Sequence, residues 1–222
     1  MANVHDLDAA RTHLRDLLSP GQCALLAQEL QEGVVGASSR LGALADVVHE
    51  TALIPHAAKV AASARRSGVP VIHCTAENLS RGFGRNTNAR LFAAARKLGM
   101  DNRPGSDSVR PVGELGQFGD DIVLPRLHGL SPLTGSSLDS LLRNSGIHVL
   151  VVMGVSLNVA IPNLVFDAVN RSYDVVVVSD AVAGVPREYG TQVIEHTLSL
   201  VCTIASSKQI VDTWASFPGT PP

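Results

Sequence analysis

The chain has 222 residues, of which 45% are hydrophobic and 17% charged. That balance excludes a disordered polypeptide and leaves length for a sizeable core in one domain spanning 1–222. The formal net charge of −2 gives no footprint for nucleic acid or an anionic membrane, and no apolar run reaches the length of a membrane span.

The opening M-A-N-V-H-D-L-D is polar and acidic, unlike a secretory leader. Residues 1–20 read as a leading helix: Leu7, Ala10, Leu14, Leu17 and Leu18 keep helical spacing, and Ser19-Pro20-Gly21 ends it. Cys23 to Leu30 is the first core strand, and it turns polar at Gln28-Glu29-Leu30-Gln31. Gly33 to Arg40 is a loop, and Leu41 to Val48 a helical turn. Ile54 to Ser67 is a helix closed by Arg65, Arg66 and Gly68. Val69 to Thr75 is the second strand, with its proline near the start. The polar loop 78–88, R-G-F-G-R-N at its centre and Asn88 at its end, follows a strand and is expected to help wall a pocket. Ala89 to Leu98 is an Ala-rich amphipathic helix. Met100 to Gly119, rich in Gly, Pro, Asp and Ser, reads as irregular. Ile122 to Leu124 is a short strand, followed by Pro125 and Arg126, and Leu138 to Asn144 is a helix.

Val149 to Met153 is a run of β-branched and apolar residues. It reads as a strand buried on both faces of a parallel sheet, ended by Gly154. Ser156 and Asn158 are candidate N-caps for a helix from Val159 to Asn170, with Pro162 in its first turn. Asp174 to Ser179 is another buried strand, Glu188 to Cys202 a helix, Thr203 to Ala205 a last strand, and Lys208 to Ala215 a terminal helix. Residues 216–222 read as a flexible tail. Strands alternating with helices predict a three-layer α/β/α sandwich around a mainly parallel, Rossmann-like sheet of about six strands. Ligands of such sheets bind at the carboxyl ends of strands, which directs attention to Gly154–Ala160.

The three cysteines, Cys23, Cys74 and Cys202, are odd in number, far apart and set in apolar runs. That pattern fits buried free thiols in a reducing cytoplasm. The eight histidines are scattered, and no pair has ligand spacing with a carboxylate, so no metal is expected. No glycine-rich phosphate fingerprint follows a strand, so no nucleotide cofactor is expected either. The scarce aromatics near candidate loops are Phe83, Phe118 and Phe166.

The segments G-V-S-L-N-V-A-I (154–161), Asp167-Ala168 and Y-D-V-V-V-V-S-D-A-V-A-G (173–184) resemble the isochorismatase-like hydrolase superfamily. T-G-S-S-L-D (134–139) and the second strand are also similar to it. The resemblance spans Cys23 to Ala215 and implies the same fold. In the family's amidases a first-strand Asp, a Lys and a nucleophilic Cys form the triad. The matching positions here hold Glu29, Arg126 and Ala160. A methyl group cannot attack a carbonyl, so the resemblance implies a member without the nucleophilic cysteine. It also implies a route that needs none: isochorismatases proper hydrolyse a vinyl ether by general acid catalysis from the first-strand carboxylate. On that model Glu29 is the acid. Arg126, a planar fork suited to carboxylates, is either a substrate-anion anchor or a partner to Glu29. Gln31, Ser156, Asn158 and Asn88 are the expected substrate contacts. The substrate is expected to be a small anionic metabolite, and family analogy suggests a homodimer or homotetramer. The alternative is a catalytically silent member that binds a metabolite or a protein partner.

Overall fold

The structure is a computed structural model describing residues 13–100, 102–116 and 119–217. The start of the expected leading helix, Phe118 and the tail from Pro218 onward lie outside the described residues. Helical residues 13–17 (α1) precede β1 (Cys23–Gln28), α2 (Gly42–Glu50), α3 (Leu53–Arg66), β2 (Val71–Ala76), α4 (Arg90–Lys97) and β3 (Ile122–Arg126). Then follow α5 (Pro132–Gly135), α6 (Leu138–Asn144), β4 (Val149–Val155), α7 (Ala160–Asn170), β5 (Asp174–Ala183), α8 (Arg187–His196), β6 (Thr203–Ala205) and α9 (Ser207–Ala215).

The six strands form one sheet in the order β3-β2-β1-β4-β5-β6, and every pairing is parallel. Alternation along the strands divides the core in two, because successive side chains point to opposite faces. Cys23, Leu25 and Ala27 of β1 pack with Val151 and Met153 of β4 against α3 and α9. Ala24 and Leu26 pack with Leu150 and Val152 against α6 and α7. Both faces are covered, which is why β1 and β4 are buried along their whole length. Trp214 on α9 is fully buried, its indole N–H donating to the carbonyl of Leu18 at 3.1 Å. Helix α4 belongs to neither core, and none of its residues is buried.

Strand order reverses between β1 and β4, so the crevice beyond their carboxyl ends is the place for a ligand in an open sheet. Local chemistry shapes those ends. β1 stops at Gln28, two residues earlier than the hydrophobic run suggests, because Glu29 takes a left-handed conformation (φ 52°) that turns the chain out of the sheet. β4 runs on through Gly154 to Val155. Gly154 is no terminator: it sits opposite Gln28 with φ 119°, and a Cβ there would lie 2.1 Å from the Gln28 carbonyl oxygen, so only glycine fits. Pro125 is tolerated within β3 because β3 is an edge strand. The last long helix is shorter than its apolar spacing suggests. α8 ends at His196 and a 3₁₀ turn, Leu198–Leu200, follows.

Candidate functional site

A cavity of about 550 Å³ opens at this crevice. Its floor holds Glu29, just past β1, and Arg126, the last residue of β3. Ala160, the first residue of α7, and Ser156 and Asn158 of the β4–α7 turn line the same space. Three crossovers thus bring together residues up to 131 positions apart in sequence, Glu29 and Ala160.

Arg126 is buried, and its Nη2 donates to Glu29 Oε1 at 2.6 Å. Its Nη1 donates to the carbonyl of Gly129, while its Nε has no hydrogen-bond partner. Gly135 of α5 abuts the Arg126 side chain so closely that a Cβ there would lie 2.6 Å from Arg126 Cγ. α5 is itself fixed from α7, because Ser131 and Thr134 both donate to Asp167 Oδ2. Burial pushes the Asp167 carboxyl up, but hydrogen bonds from Ser131, Arg171 and Thr134 outweigh it and hold it below the ordinary carboxylate value. The helix that carries Ala160 therefore also positions the guanidinium of Arg126.

Glu29 Oε1 is crowded. It accepts from Arg126 and also from Gln28 Nε2 at 3.0 Å. Glu29 Oε2 accepts no hydrogen bond among the described residues. A carboxyl group with one oxygen tied to fixed donors and the other unengaged beside a cavity can take a proton from a ligand as the carboxylate, or give one as the acid.

No nucleophile with a base beside it is assembled here. Neither Ser156 nor Asn158 hydrogen-bonds to a histidine or carboxylate among the described residues. Asn158 is instead a latch: its Nδ2 donates to the carbonyl of Val185, and its Oδ1 accepts from the Val185 N–H at 2.8 Å. Neither it nor Ser156 caps α7, whose N-cap is Val159 with no side-chain hydrogen bond. The peptide between Val155 and Ser156 is cis. All three cysteines are free. Burial pushes the thiols of Cys74 and Cys202 up to about 12 and that of Cys23 to about 11, so each holds its proton at neutral pH and is a poor nucleophile.

Two of the expected contacts lie elsewhere. Gln31 is fully buried outside the cavity lining. Its amide is spent on backbone, accepting from the Ala76 N–H at 2.7 Å and donating to the carbonyls of Ala76 and Ser108, each at 3.2 Å. It staples the β1 exit to β2 and to the 102–116 stretch. Asn88 is exposed and accepts from Asn86 Nδ2. Asn86 is the residue of that loop which reaches the cavity, its Oδ1 accepting from the Gly129 N–H at 2.6 Å. Phe83 is 79% exposed and Phe166 41%; among the described residues the phenylalanine in the wall is Phe92, on α4. Sequence reasoning also passed over Arg85 and Asn102, both in the lining. Arg85 was visible as the second arginine of R-G-F-G-R-N. Asn102 sits in the irregular 100–119 stretch and carried no signal.

Among the described residues no group of three His, Cys, Asp or Glu side chains stands together as a metal site. No helix of the described residues is long and apolar enough to cross a membrane.

Against known proteins, the isochorismatase domain model matches residues 23–209. The ureidoacrylate amidohydrolase RutB of Pantoea ananatis (strain LMG 20103) is 31% identical over 175 residues, covering 73% of this chain and 70% of the relative. The enzyme of the same name from Pseudomonas syringae pv. syringae (strain B728a) is 28% identical over 187 residues, 79% of this chain and 76% of that one. An isochorismatase family protein from Desulfovibrio vulgaris has the same fold, with a TM-score of 0.73, 23% identity, and coverage of 87% of this chain and 98% of its own. The chain belongs to the isochorismatase family of hydrolases.

Proposed function

We propose that this protein hydrolyses a small anionic metabolite without a cysteine nucleophile, using Glu29 as its proton donor. The observation that carries the reading is the disposition of Glu29: Oε1 held by Arg126 and Gln28, Oε2 unengaged, beside an open cavity lined by Ala160. The relatives from Pantoea and Pseudomonas are named for an amide substrate. In this chain the residue at the start of α7, where the family resemblance expects the amidase nucleophile, is Ala160, and a methyl group offers no electron pair. Acid catalysis needs only a positioned proton donor and a group to hold the substrate's charge. Protonation of a vinyl ether carbon from Glu29, followed by water addition and collapse of the hemiacetal, satisfies that requirement and returns the carboxyl to its starting state when a proton is recovered. Arg126 then holds Glu29 in place and contributes positive charge at the floor.

The test is a screen of vinyl ethers, small amides and ureido acids for hydrolysis, followed by intact-mass measurement of enzyme quenched during turnover. Turnover with unmodified protein mass is expected. An acyl adduct that maps to a cysteine overturns the cysteine-independent route.

One observation favours a second reading, a silent member that binds a metabolite or protein partner. The 2.6 Å pair between Arg126 and Glu29 already satisfies both charges without a ligand. Absence of turnover on every class, with specific ligand binding retained, selects that reading. Assembly as a homodimer or homotetramer belongs to the same proposal. Exposed Phe166, Val169 and Leu200 offer apolar surface for it, and light scattering reads the state directly.

A further inference from the structure

The walls of the cavity differ in kind from its floor. Leu91, Ala94, Ala95 and Leu98, at i, i+3, i+4 and i+7, put one face of α4 into the lining. Leu41 and Leu44 come in from the start of α2. With no core packed under it, α4 leaves Leu91 48% and Leu98 40% exposed. A volume of about 550 Å³ lies within the range of roughly 300–1,000 Å³ that holds drug-sized ligands. A small, wholly polar acid would leave most of that apolar surface wet.

Among the described residues, the Arg85 guanidinium and Asn102 Oδ1 in the wall have no partner. Arg85 makes no ion pair among the described residues, whereas Arg126 is committed to Glu29 and to the Gly129 carbonyl, and Arg40 to the Leu98 carbonyl at 2.8 Å. Asn102 is 7% exposed, and its Oδ1 has no hydrogen-bond partner among the described residues. A buried, unpaired acceptor costs free energy unless a ligand donor meets it. Of the lining carboxylates, Glu29 is paired with Arg126, and Glu77 Oε1 accepts from Thr75 at 3.0 Å, so with three arginines the lining has one cation in excess.

We propose that the ligand of this cavity is an anion with an extended apolar body, its charge held by Arg85 and its body laid along α4, with a hydrogen-bond donor toward Asn102. The proposal rests on the reading of the cavity as a substrate site and names the substrate class for it. Arg126 is then the support of Glu29, and Arg85 is the anchor.

The experiment is a calorimetric binding series with straight-chain carboxylates from acetate to decanoate, each beside the primary amide of the same length. Affinity is expected to rise about fourfold per methylene until the cavity is filled. The carboxylate should be preferred over its amide, and R85Q should remove that preference, a loss of roughly tenfold or more, while leaving the amide series unchanged. Ala95→Trp, on a face of α4 not buried in either core, should abolish binding of the long chains and spare acetate. A flat series, or a carboxylate preference that survives R85Q, overturns the proposal. The two readings fail separately. Hydrolysis confined to short polar acids, with no gain on lengthening, removes this proposal and leaves Glu29 chemistry standing. A clear length series, with no hydrolysis of vinyl ethers that carry the same chains, upholds this proposal and removes the hydrolase.

Discussion

The pairs Arg65–Asp121 and Arg126–Glu29 both bind a guanidinium to a carboxylate beside the sheet, yet they leave different atoms free. Arg65 meets Asp121 with both prongs, Nε to Oδ1 at 3.0 Å and Nη2 to Oδ2 at 2.7 Å, and His73 Nε2 joins Oδ2 at 2.8 Å. Every oxygen of Asp121 is engaged, and its side chain is 4% exposed. Arg126 meets Glu29 with one prong on one oxygen, at the floor of a cavity. The first pair ties α3 to β2 and to the start of β3. The second leaves Oε2 for a ligand. Charge type alone does not distinguish the two pairs; the count of satisfied oxygens and the neighbouring void do, and on the proposed function that difference is what makes the second pair a working one.

That contrast can be broken by substitution. Asp121→Asn should cost about 3 kcal/mol of stability, the low end for a buried pair, because it replaces the buried charged partner of a half-buried Arg65 and of His73 by a neutral one. It should leave turnover per folded molecule near the wild-type value, and denaturant melts with matched kinetics read both. A smaller, mixed effect is expected from Gly135→Ala. Its methyl group would meet Arg126 Cγ at 2.6 Å and the His128 carbonyl oxygen at 2.5 Å. We expect a loss of about 1–3 kcal/mol from overpacking, with a fall in turnover that Asp121→Asn does not show. Gln28→Leu should be nearly neutral for stability, since it removes a buried Oε1 that has no partner. It also removes one of the two donors to Glu29 Oε1, so turnover should fall by about fivefold.

Acid should act first on the structural cluster. Burial lowers the His73 pKa from its ordinary 6.5, and the hydrogen bond to Asp121 only partly restores it. Below pH 6.5 the unfolded chain therefore takes up a proton that the folded chain refuses, and stability falls as pH drops toward the folded value. Burial pushes Asp121 up, but the bonds from Arg65 and His73 prevail and its pKa lies below the ordinary 3.8. Its contribution is present above that value and is lost as pH falls through the depressed one. Melting temperatures between pH 7 and pH 3 should show the first decline in wild type and a weaker one in His73→Asn.

The sheet was legible because its strands are buried on both faces and so read as unbroken runs such as Val149 to Met153. The strand-end rule pointed to Gly154–Ala160, and the family resemblance implied that the segments carrying Glu29 and Arg126 meet it there. Other features depend on contacts distant in sequence. Gln31 looked like a ligand contact, but its amide closes a long-range staple to Ala76 and Ser108. Asn88 and Asn86 differ only in which way a loop turns, and no local pattern encodes that. The apolar wall was visible as the amphipathic face of Ala89–Leu98, yet nothing local says that this face looks into a cavity instead of a core. The left-handed turn at Glu29, which lifts the carboxylate out of β1, follows a Gln28 whose carbonyl is in close contact with Gly154 of β4, a neighbour 126 residues away in sequence that no local pattern reveals.

Hydrolysis through Glu29 is tested most directly by kcat/KM of Glu29→Gln, measured on a substrate the wild type turns over and on protein whose melt is checked. Glutamine keeps the shape and can still accept from Gln28 and Arg126, but it has no proton to give as an acid. A loss of about 10²–10⁴-fold with an unchanged melt is the expected result. Wild-type turnover in that variant would contradict the assignment and move the chemistry to another group in the cavity.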